Sequence, residues 1–101
     1  MRLTNTNGRG GAWSAAEINL AWQKARAVPG YHPAVTRKDA CGAFINRHEY
    51  GRTSTYGWEI DHIHPVAQGG TDHFNNLQPL QWQNNRHKGD TWPNWSCALS
   101  A

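Results

Sequence analysis

Between Trp58 and Asp90 the chain reads WEIDHIHPVAQGGTDHFNNLQPLQWQNNRHKGD, and this stretch narrows the folds open to it. Tyr56 to Ile60 holds aromatic and β-branched residues, and Pro65 with Gly69-Gly70 closes the segment, which predicts a short strand running into a loop. Asp61 and His62 are then expected where the strand ends. Adjacent strand residues point to opposite faces, so the two can share a site only if the backbone leaves regular pleating near them; Pro65 is compatible with such a break. Asn76-Leu77-Gln78-Pro79-Leu80 is a second short apolar segment, and the Gly-rich loop before it is long enough to return it antiparallel to the first. From Gln81 to Lys88 the composition turns helical until Gly89 and Pro93 stop it, and Gln81, Asn85 and Lys88 fall on one helix face. The outline is strand, loop, strand, helix.

The rest of the chain offers less. Ser14-x-x-Glu17 is a capping box, and Ile18, Ala21, Trp22, Ala25 and Val28 recur at helical spacing, so a helix is expected from Ser14 to about Ala27, ended by Pro29-Gly30 and packed behind the hairpin through Ile18 and Trp22. Residues 1–11 are polar and rich in Gly and Asn, as a flexible tail would be, leaving residues 12–101 as a single domain with its core motif at 56–90. A strand is expected around Gly42–Ile45 and a turn at Tyr50-Gly51. Trp92 to Cys97 is too aromatic for a free tail and is expected to fold back over apolar surface. At 101 residues there is no room for separate recognition and catalytic domains. Lys and Arg number 10 against 7 Asp and Glu, a mildly basic balance that suits a polyanionic partner. No apolar run approaches membrane-span length and no leader-type apolar stretch opens the chain, so a cytoplasmic protein of bacterial or phage origin is the simplest expectation.

The succession D-H-I-x-P, G-G, N-L-Q and N-x-x-K-G, over about a third of the chain, resembles the HNH endonucleases. The resemblance implies an α+β fold, the ββα-metal hairpin and helix, here with a packed N-terminal helix. It implies that Asp61 is the carboxylate metal ligand, His62 the general base, Asn76 the residue that steadies the loop bearing the base, and Asn85 the second metal ligand. Many members also hold a structural zinc through Cys-x-x-Cys pairs. This chain departs from them, because Cys41 and Cys97 are its only cysteines and form no such pair. Parity would allow a disulfide, a cytosolic setting speaks against one, and two small buried thiols are the expectation.

The implied chemistry suits these residue types. A phosphodiester is a poor electrophile with a poor leaving group, and a cation on its oxygens offsets charge in the transition state. Asp61 and Asn85 offer hard oxygen donors, which favour Mg²⁺ or Mn²⁺; Zn²⁺ or Ni²⁺ could occupy such a site, as in colicin-type relatives with more histidine ligands. An unperturbed imidazole titrates near ~6.5, so His62 can accept a proton from water around neutral pH. Lys88 and Arg86 are expected at phosphates, Arg47 and Arg52 in a basic cluster ahead of the motif, and His64 as a weaker phosphate contact. Glu59 is expected exposed or behind the ligands, and Asp72 and His73 facing solvent. The function implied is a metal-dependent endonuclease that hydrolyses DNA, nicking it or cutting with weak sequence preference; RNA is not excluded. The alternative is a non-catalytic nucleic-acid-binding module on the same scaffold. An immunity protein or a phage terminase are the protein partners this reading leaves open.

Overall fold

The capping box forms as read: Ser14 Oγ accepts from the Glu17 amide and the Glu17 carboxylate accepts from the Ser14 amide, at 3.1 and 2.9 Å. In this computed structural model, which describes residues 2–101, they open helix α1, Ala15–Gln23. The helix stops short of the expected Ala27. Arg26–Ala27 instead form β1, paired antiparallel with β2, Thr36–Lys38, which in turn pairs with β3, Phe44–Asn46. Arg37 explains the early stop: its guanidinium donates to the carbonyls of Gln23, Ala25 and Pro33 at 2.8–3.2 Å. A longer helix would have needed the Gln23 carbonyl for Ala27, and Pro29 has no N–H to offer Ala25.

The second sheet is the hairpin of β4, Trp58–His62, and β5, Leu77–Gln81, in antiparallel register from Trp58↔Gln81 to His62↔Leu77. Helix α2, Trp82–Lys88, follows at once, with the Gln81 side chain capping the amides of Gln83 and Asn84. The strand-loop-strand-helix outline is therefore present as a ββα unit in an α+β fold. Pro79 sits inside β5 without cost because Ile60↔Pro79 is a non-hydrogen-bonded pair; the Ile60 amide points away from β5, to Asn5 Oδ1 at 2.9 Å.

Every residue of β4 is buried, because the strand is covered on both faces. Trp58 and Ile60 join Trp13, Ala21, Trp22, Ala25, Ile45 and Leu77 in the apolar core beneath α1. Trp58 packs against Trp22 and, edge-on, against Tyr50, with ring centroids 5.4 and 4.9 Å apart. Glu59 and Asp61, on the opposite face, lie against α2.

Both ends of the described chain are held. Arg2–Gly11, expected as a loose tail, lie along the structure: Asn5 Oδ1 accepts from the Ile60 amide and the Tyr50 hydroxyl, and the Gly8 amide donates to the Asp72 carboxylate. The Met1 end of the expected tail lies outside the described residues. At the other end, Asn84 accepts from the Ala98 and Leu99 amides and donates to the Leu99 carbonyl. Cys41 and Cys97 are joined in a disulfide rather than left as two buried thiols, and Cys97 lies at the surface. The bond closes a loop spanning 56 residues, and constraining the unfolded chain in this way is worth about 3–5 kcal/mol. Trp92 is 40% exposed and covers no core; it stacks on His64 instead, with centroids 4.1 Å apart. No helix among the described residues is long and apolar enough to cross a membrane.

Candidate active site

β4 remains regularly paired through His62, so the break in pleating expected near Asp61 does not occur there. Asp61 faces α2 and His62 faces Trp13, yet both reach one cavity of about 370 Å³. Sharing is possible because the cavity lies along the edge of β4 away from β5, where Ile60, Asp61 and His62 all line it. Asn85 and Arg86 of α2 line the same cavity, and Leu3 to Thr6 form a further wall.

Asp61 is 5% exposed, and burial pushes its carboxyl above the usual carboxylate range. The Gln78 amide, 3.0 Å away, and the Lys88 ammonium, 3.3 Å away, oppose that shift without cancelling it. Asn85 is held from behind: its Nδ2 donates to Glu59 Oε1 at 2.9 Å. A carboxylate can only accept, so the contact fixes which end of the amide is nitrogen and leaves Oδ1, which accepts no hydrogen bond among the described residues, as a free hard donor. Glu59 is itself 3% exposed, neither solvent-facing nor idle, and also binds Arg86 at 3.0 Å.

These donors fit a hard divalent ion. Asp61 and Asn85 line a common cavity, and a carboxylate with an amide oxygen would leave most of a coordination shell to water and phosphate, as Mg²⁺ prefers. Among the described residues no three His, Cys, Asp or Glu side chains gather into a cage of their own, and a disulfide sulfur is no thiolate ligand.

Asn76 clamps the loop that follows His62. Its Oδ1 accepts from the His64 amide at 2.8 Å, and its Nδ2 donates to the carbonyls of His64 and Thr71 at 3.0 and 2.8 Å. His62 is packed against Trp13, with centroids 5.3 Å apart, and its Nε2 meets Asp72 Oδ1 at 2.7 Å. Asp72 therefore does not simply face solvent. Nothing local in the sequence signalled this contact, since it depends on how the Gly69-Gly70 loop folds back.

The residues expected at phosphate divide. Arg86 lines the cavity with its side chain 44% exposed, suitably placed for an anion. Lys88 is buried at 1% exposure and donates to Asp61 and to the His62 carbonyl; the spacing that puts it on Asn85's face also drives it under the strand, where it offsets carboxylate charge and cannot reach phosphate. His64 is taken up by Trp92 and the Gln68 carbonyl. Arg47, near the Trp58 ring, and exposed Arg52 belong to the opposite end of β4, about 13 Å of strand away, and neither lines the cavity. Lys24, the residue that caps the C-terminus of α1, donates to the carbonyls of Phe74 and Leu77.

Comparison with protein families matches residues 39–91 to the family described as HNH endonuclease. Neither the curated proteins nor the solved structures contain a match to the chain.

Proposed function

Because the chain belongs to the HNH endonuclease family, we propose that it is a metal-dependent endonuclease whose substrate is DNA. The observation that carries this reading is the convergence of Asp61, His62 and Asn85 on one cavity, with the Asn85 oxygen turned free by Glu59. Asp61 and Asn85 would hold one divalent ion, Mg²⁺ or Mn²⁺. When bound, such an ion supplies charge neutralisation on the phosphate and on the departing 3′ oxygen. His62 takes a proton from water; the water oxygen forms its bond to phosphorus, the bond from phosphorus to the 3′ oxygen breaks, and that oxygen leaves with the electron pair and is protonated by solvent. Asn76 keeps the loop beyond His62 in place, and Arg86 at the cavity lip meets a phosphate. A single ββα unit by itself reads few base edges, so the enzyme nicks DNA or cuts it with weak sequence preference. A cytoplasmic setting would keep Cys41 and Cys97 as thiols, whereas the joined pair suits an oxidising one.

Relaxation of supercoiled plasmid tests the reading. The wild type should nick with Mg²⁺ or Mn²⁺ and stop with EDTA, and His62→Ala should lose roughly 10²–10⁴-fold in rate. Equal cutting by both proteins would refute the role of His62. DNA bound but uncut by the wild type would leave a nucleic-acid-binding module.

A further inference from the structure

A neutral imidazole carries one N–H and one lone pair, and only the nitrogen with the lone pair can take a proton from water. Which nitrogen that is depends on what the other one meets. In His62, Nε2 lies 2.7 Å from Asp72 Oδ1, and Nδ1 has no hydrogen-bond partner among the described residues. A carboxylate accepts only, so Nε2 must be the N–H and Nδ1 the lone pair. The ring cannot turn over without giving up this bond, and Trp13 packs beside it.

Asp72 is itself held. The Gly8 amide donates to both of its oxygens, at 2.8 and 3.0 Å, across 64 residues of sequence. A side chain at Gly8 would set a carbon 3.2–3.3 Å from those oxygens, so the close approach suits glycine. The segment bearing Gly8 is anchored in turn by Asn5 on the Ile60 amide and the Tyr50 hydroxyl.

We propose that Asp72, bracketed by the N-terminal segment, is a positioning residue that holds His62 as the Nε2–H tautomer and leaves Nδ1 as the proton-accepting atom. The inference rests on the reading of His62 as general base. It gives residues 5–8 a share in the site although none of them need touch substrate.

Long-range proton–nitrogen NMR of ¹⁵N-labelled, metal-free protein, in the pH range where the ring is neutral, reads the tautomer directly. The wild type should show Nε2–H, and Asp72→Ala should shift His62 toward Nδ1–H. In plasmid cleavage the same substitution should lower kcat about 10- to 100-fold with little change in KM. In a His62→Ala background it should add nothing. Asp72→Asn should restore both the tautomer and most of kcat, because Oδ1 alone already accepts from both Gly8 and His62. An unchanged tautomer and kcat in Asp72→Ala, with His62→Ala inactive, would overturn this inference and leave the base intact. Wild-type cutting by His62→Ala would overturn the base itself, a result the tautomer measurement cannot mimic.

Discussion

The two faces of β4 are buried to similar depth by opposite means. On one, Trp58 and Ile60, at 0% and 2% exposure, meet other apolar side chains; on the other, Glu59 and Asp61, at 3% and 5%, meet a helix. Burial of Trp58 and Ile60 is favourable whatever their neighbours, provided the space is filled. Burial of Glu59 and Asp61 is tolerable only because each is bonded twice, Glu59 to Asn85 and Arg86 and Asp61 to Gln78 and Lys88. The apolar face therefore stabilises the hairpin, and the polar face uses some of that stability to keep two carboxylates buried beside α2.

The largest effect expected from breaking this contrast is on the apolar side. Trp58→Ala should destabilise the protein by about 3–5 kcal/mol in chemical denaturation, a large part of what a domain of this size possesses. Activity should fall only in proportion to the unfolded fraction; a folded but inactive variant would mean that Trp58 has a role at the site.

On the polar side the cost should be conditional. Asp61→Ala strands the Lys88 charge under the strand and should cost about 3 kcal/mol, whereas Asp61→Ala combined with Lys88→Met should recover most of the loss while staying inactive. A double variant no more stable than the single one would show that α2 is held by packing and that the charges matter little.

The smallest test lies where the apolar face meets the N-terminal segment. Tyr50→Phe keeps the packing on Trp58 and removes the bond to Asn5, so it should cost about 1 kcal/mol. Burial raises the Tyr50 hydroxyl above its ordinary value near 10, so the folded chain holds that proton more tightly than the unfolded one. The resulting stability is fully present below about pH 10 and is lost as pH climbs through the higher folded value. Tyr50→Phe should flatten that alkaline decline, and equal slopes for the two proteins would assign the decline to other groups.

Features written in neighbouring residues are legible in the sequence. The capping box, the strand-loop-strand-helix order, and the shared helix face of Asn85 and Lys88 rest on local geometry that sequence spacing encodes directly. The succession from Asp61 to Lys88 also identified the family, to which residues 39–91 belong. That shared face could not say which way Lys88 would be used, and it went under the strand. Glu59 was one alternation away from Asp61, but its bond to Asn85 crosses 26 residues.

What the tertiary structure alone decided are the contacts between distant segments: the Gly8 amide on Asp72, Asp72 on His62, and Cys41 with Cys97. The sequence by itself determined which groups could accept a proton or hold a cation, because that is fixed by side-chain chemistry. Which nitrogen of His62 and which end of Asn85 are left without a hydrogen-bond partner among the described residues depends on a carboxylate brought up from elsewhere in the chain, and no local pattern records where a loop closes.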